Sequence, residues 1–278
     1  MVSLSVGTSF AKHLFGTVGA EGTTALRVGL AALILVVLWR PWRLGLSRRD
    51  RGALLLYGAV LGAMNLLFYL SLRTIPLGLA IAIEFSGPLT LALAASRKIV
   101  DFVWIGCAVL GLALLLPVSG LSSGLDPVGV ACALAAALCW ALYIVCGQRV
   151  GHLHGGRAVA LGMSVAAVVV LPFGIASAGA ALLDPAILAF GLGVAALSSA
   201  LPYSLEMVAL KRLPKQSFGV LLSLEPAIGS LAGLAILGER LSPTEWFAIA
   251  CIVVASVGNT VSTHRSRAAA TPIPTLPA

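Results

Sequence analysis

The sequence predicts an all-α integral membrane protein whose ten transmembrane helices form a 5+5 inverted repeat. Three observations carry that prediction. The chain is 59% hydrophobic and 10% charged, with a mean hydropathy of +1.04, whereas a soluble domain is about 45–50% apolar and about 25% charged. Its apolar runs are broken by short polar or basic connections at the spacing of membrane spans, each needing roughly 20 residues. A weak internal repeat relates one half of the chain to the other at an offset of 138 residues.

Apolar runs and their punctuation place helices near 1–16, 22–39, 52–71, 77–95, 102–117, 127–147, 158–176, 186–208, 217–237 and 244–262. The first carries Lys12 and the second Arg27. At 1.5 Å per residue the first run reaches only about 24 Å, short of a hydrocarbon core of about 30 Å. An upstream start is therefore expected, and with no basic segment before the run a signal peptide is not. The third helix holds Asn65 and Tyr69, with Gly58 and Gly62 at GxxxG spacing; Gly229 and Gly233 repeat that spacing in the ninth. Such spacings are close-packing devices in membrane helices. In the sixth, Cys132, Cys139 and Cys146 recur every seven residues as a small-residue stripe. The five cysteines include no CxxC, so neither a disulfide framework nor a metal site is indicated. Glu206, near the end of the eighth helix, can snorkel toward Lys211 or Arg212. The Pro-rich stretch 264–278 reads as a disordered cytoplasmic tail.

The net charge of +8 lies between the apolar runs, which makes it a topology signal and removes nucleic acid as a partner. With alternating connections, one side holds Arg40, Arg43, Arg48, Arg49, Arg51, Arg97, Lys98, Arg149, Arg157, Lys211, Arg212, Lys215, Arg265 and Arg267, and the other only Arg73 and Arg240. Positive charge marks the cytoplasmic side, so both termini are expected in the cytoplasm of a bacterial inner-membrane protein.

The repeat sets Leu72, Arg73, Ile75 and Pro76 against Leu210, Lys211, Leu213 and Pro214, Pro88 against Pro226, and Asp101 against Glu239. Five helices per half is an odd number, so the halves, 1–117 and 127–262, are inverted in the membrane. Inverted repeats with interrupted helices are the architecture of secondary transporters, whose substrate site lies near the midplane. That points to the fourth and ninth helices, where Glu84 precedes Pro88 by four residues and Glu225 directly precedes Pro226. A carboxylate at helix centre costs about 2.5–3.5 kcal/mol on insertion scales, and proline frees a carbonyl one turn earlier. Lys12 and Arg27 are the cationic counterparts. The four charges read either as sites for a substrate ammonium, carboxylate or proton, or as ion pairs that let the helices pack. Asn65, Tyr69, Trp140, Tyr143 and Tyr203 are suited to lining an apolar cavity with a few placed polar groups, though each also suits packing or an interface. No HExxH, DDxxD or serine–histidine pairing of an intramembrane enzyme is present, and no cofactor is expected.

The stretch SLEPAIGSLAGLAILGERLSPTEWFAIACIVVASVG, with AKHLF around Lys12, TALRVGLAALIL around Arg27, RPWR and IEFSGPL around Glu84, resembles the drug/metabolite transporter superfamily in its EamA branch, and within it the threonine/homoserine exporter group. The resemblance covers essentially all ten helices. It implies alternating access and proton-coupled export of a small amino acid or related metabolite, from a monomer or homodimer in the lipid bilayer. Members of that group carry a full-length first helix with polar residues before the AK motif, a stretch absent here. Transport of another metabolite or a drug, and a non-transporting scaffold or sensor, are the alternatives.

Overall fold

The computed structural model describes residues 1–94, 99–115, 125–203, 205 and 222–270. Arg97, Lys98, Glu206, Lys211, Arg212, Lys215 and the repeat landmarks Leu210, Leu213 and Pro214 lie outside the described residues, as do the start of the predicted ninth helix and positions 271–278.

Every regular element among the described residues is helical. The helices are α1 (Val2–Lys12), α2 (Phe15–Trp39), α3 (Arg48–Ser71), α4 (Leu77–Ala94), α5 (Ile99–Leu115), α6 (Pro127–Val150), α7 (Gly155–Ala178), α8 (Pro185–Ala195), α9 (Glu225–Ala232) and α10 (Pro243–Ala270). A π-helical turn, Ala196–Ala200, extends α8, and another, Gly233–Leu237, extends α9. Among the described residues six helices are long and apolar enough to cross a membrane, and Leu77–Leu91, Phe102–Leu115 and Glu225–Leu237 are shorter apolar helices.

Local chemistry fixes several of the ends. Ser47 and Asp50 form a reciprocal capping box on α3, and Ser242 with Glu245 exchanges the same pair of bonds at the start of α10. Asp126 accepts from the Gly129 amide at 3.0 Å, and Asp184 accepts from Ala186 and Ile187. In both cases proline follows at the first helical position, where its missing donor costs nothing.

The first connection departs from expectation. Helix α1 ends at Lys12 rather than running to residue 16, because His13 and Leu14 donate three-residue turn bonds to Phe10 and Ala11. Helix α2 then starts at Phe15, earlier than predicted, and breaks at Gly19, which holds φ +70° and ψ 177°. Only glycine adopts that backbone cheaply. At the other end of the chain α10 continues to Ala270, so residues 264–270, expected in a disordered tail, are helical.

The helices pack as a bundle. α2 lies on α7, α3 on α6 and α7, α4 on α6 and α9, and α5 on α10, while α1 sits against α8 and α9. Small residues make the approaches close: a Cβ at Gly87 of α4 would meet the Ala137 carbonyl of α6, and one at Gly58 of α3 would lie 2.6 Å from the Gly162 carbonyl of α7. Gly62 sits against Ala166, Gly229 against Ile81 of α4 and Gly233 against Leu77 of α4, so all four GxxxG glycines are at helix contacts. The outer surface is apolar, with Leu33, Phe102, Val109, Leu138, Val168 and Phe173 all exposed, as a lipid-facing belt requires.

Candidate functional site

The bundle buries three formal charges together. Arg27 (5% exposed), Glu84 (7%) and Glu225 (6%) come from α2, α4 and α9, and Glu84 feels the charge of both Glu225 and Arg27. Burial at this depth is costly for any uncompensated charge, and the surrounding residues show how Arg27 is held. Its Nη2 donates to Asn65 Oδ1, its Nη1 to the Ser198 carbonyl at 3.4 Å, and its Cζ lies 4.8 Å from the centre of the Tyr69 ring, within cation–π range. Asn65 is fixed in turn by donating from Nδ2 to the Leu61 carbonyl at 2.8 Å. Since that amide proton points back along α3, the amide oxygen is the atom left for the guanidinium.

Backbone irregularities position the other members. Ser198 lies in the π turn that extends α8, a feature that loosens the regular ladder and is frequent at functional sites. Pro88 sits inside a continuous α4 and removes the donor that would otherwise engage the Glu84 carbonyl. Pro226 acts differently from a mid-helix break: the chain turns at Leu224, and α9 starts at Glu225 with Pro226 in its first turn. The Glu225 carboxylate therefore sits at the positive end of that helix. Arg27 Nε and the hydroxyls of Ser5 and Ser199 are buried with no hydrogen-bond partner among the described residues. Cys139 feels the charge of Glu84, and the neighbouring Trp140 meets Phe85 edge-on at 5.9 Å. The described residues contain no cluster of three metal-ligating side chains.

Of the sequence-predicted residues, the structure thus brings together Arg27, Asn65, Tyr69, Glu84 and Glu225, with Trp140 alongside. Lys12 is elsewhere. It ends α1 and bonds Glu239 at 2.6 Å, while the second oxygen of Glu239 accepts from the Leu77 amide at 2.7 Å. Lys12 thereby ties α1 to the start of α4 and the segment after α9. On the same end of the bundle Arg73 pairs with Glu21 at 3.3 Å. Tyr143 stacks on Tyr57 with the hydroxyls 2.9 Å apart, nearer the arginine-rich end, and Tyr203 packs on the α2–α7 core. One contributor to the site is not legible in the sequence: Ser198, which offers Arg27 a backbone carbonyl and so leaves no side-chain signal.

A multi-pass helical bundle that buries charged residues among its spans fits the profile of a membrane transporter. The chain belongs to the EamA-like transporter family. The model of that family matches residues 127–261, and the threonine/homoserine exporter RhtA of Escherichia coli (strain K12) is 50% identical over 265 residues, covering 95% of this chain and 90% of the relative. RhtA of Salmonella typhimurium (strain LT2) is 51% identical over the same length. A solved crystal structure at 18% identity superposes with a TM-score of 0.62 over 95% of this chain and 97% of its own, which shows a shared fold. Belonging to a transporter family makes translocation, not catalysis, the activity to be explained.

Proposed function

We propose that this chain exports a small zwitterionic amino acid of the threonine or homoserine kind across the bacterial inner membrane in exchange for protons. The observation that carries the proposal is the burial of Arg27, Glu84 and Glu225 in one site. The two carboxylates and the guanidinium are electrostatically linked, Glu84 to both Glu225 and Arg27, so the site can take up a proton or a substrate ammonium beside its own cation. The partnerless Nε of Arg27 and the hydroxyls of Ser5 and Ser199 are donors suited to a substrate carboxylate. Ammonium and proton thus compete for the same carboxylates, which is the physical basis of antiport. Names borne by relatives at 50–51% identity along nearly the whole chain support the substrate class.

The ten helices found among the described residues are read as two inverted halves of five. In support, the packing pairs map onto one another when each helix number is advanced by five. The pairs α2–α7, α4–α9 and α5–α10 map onto themselves, α3–α7 onto α8–α2, α3–α6 onto α8–α1, and α4–α6 onto α9–α1. The arginine-rich end, with Arg43, Arg48, Arg49, Arg149 and Arg157, faces the cytoplasm. Bacteria lacking their own exporters, preloaded with homoserine or threonine and expressing this chain, should release the amino acid, and Arg27→Gln should abolish release at normal membrane levels. Normal insertion of the unaltered chain without any release refutes the substrate class.

A further inference from the structure

We propose that the arginine-rich end carries a binding site for the phosphodiester headgroup of an anionic lipid, in a cavity of about 750 Å³ between the start of α3 and the end of α6. Arg48, Arg49, Arg149 and His152 line it, together with Asp50 and Leu56. The Asp50 carboxylate is committed elsewhere: it caps α3 through Ser47 and meets His152 Nε2 at 3.1 Å. Among the described residues none of the three arginines has an ion-pair partner, so three guanidiniums face one engaged carboxylate. Arginine forks match phosphate oxygens, and basic pockets between transmembrane helices on this side are suited to acidic headgroups.

What lies along the helices from these charges favours a lipid over a free anion. Leu56 is one helical turn beyond Gly52 on α3, and Val145 is one turn before Arg149 on α6, with Leu142 one turn further. All three are exposed, at 47%, 37% and 45%, although α3 and α6 pack against each other. Exposed apolar side chains of both helices therefore continue from the charged cavity along the bilayer-facing surface. A phosphate seated among the arginines would lay its acyl chain against them, bracing the connections on either side of α3 and α6.

The site is tested by native mass spectrometry of the full chain released from nanodiscs holding equal phosphatidylglycerol and phosphatidylethanolamine. The unaltered chain should retain phosphatidylglycerol selectively. Arg49→Gln with Arg149→Gln should weaken retention, by roughly fivefold for each arginine removed, and Arg43→Gln, outside the cavity, should leave it unchanged. Val145→Asn keeps every charge and should also weaken retention, which covers the case in which the double variant does not fold. Equal retention of both lipids, equal losses in Arg43→Gln and the double variant, or displacement of the lipid by millimolar inorganic phosphate would overturn the proposal; the last would mark a free-anion site.

Discussion

Arg27 shows how one residue can be legible in sequence while its partners are not. A cation in an apolar run demands compensation, and Glu84, Asn65 and Tyr69 were identifiable as polar groups at matching depth. The Ser198 carbonyl was not, because a carbonyl has no residue signature and only the π turn of α8 exposes it. Lys12 reads from sequence as either a carboxylate site or half of an ion pair; α1 ends at that residue and its ammonium bonds Glu239. Arg27→Lys keeps the charge and loses the planar fork, so half-saturating substrate in efflux assays should rise about ten- to a hundredfold, the worth of one charge-assisted hydrogen bond. Glu239 serves two partners, and its variants should separate them. Glu239→Gln retains an acceptor for the Leu77 amide and should lower thermal stability less than Glu239→Ala, which orphans that amide as well; equal losses would show that only the ion pair matters.

Helix contacts were readable where glycine spacing carried them. Gly58 and Gly62 predicted a close neighbour for α3, and Gly229 one for α9; the structure supplies α7 and α4. The caps at Asp126 and Asp184 follow from Asp-Pro pairs and explain where α6 and α8 begin. Outside the spans, the Thr74 hydroxyl and the Gly129 amide hold the Asp126 carboxyl below its ordinary range. A lowered carboxyl stabilises the fold above its unfolded value and loses that contribution as pH falls through the folded one, so the α6 cap persists at neutral pH. The break at Gly19 was not readable, because its sequence looks like any flexible glycine and only its left-handed backbone dictates the bend. Gly87 sits so near the Ala137 carbonyl that any side chain must part α4 from α6. Gly87→Val should cost about 1–3 kcal/mol of stability and reduce the amount of folded protein recovered from membranes; unchanged yield and melting temperature would show that the two helices can separate freely.

Across the whole molecule, charge asymmetry and apolar surface set the orientation and the depth of the site. Trp42 and Leu183 are exposed at opposite ends, 67% and 75%, and the five native cysteines are free, so a background without cysteines is attainable. In that background Trp42→Cys should react with a membrane-impermeant thiol reagent only after the inner face is opened, and Leu183→Cys in intact cells; the reverse pattern would invert the topology. In the proposed mechanism substrate and proton share the carboxylates of Glu84 and Glu225. Proteoliposomes containing the purified chain and a lumenal pH dye measure it directly: a homoserine gradient should drive proton movement, and Glu84→Gln or Glu225→Gln should abolish that movement at unchanged protein incorporation. Homoserine-driven proton movement that persists in both variants would contradict the claim and leave the two glutamates as packing charges.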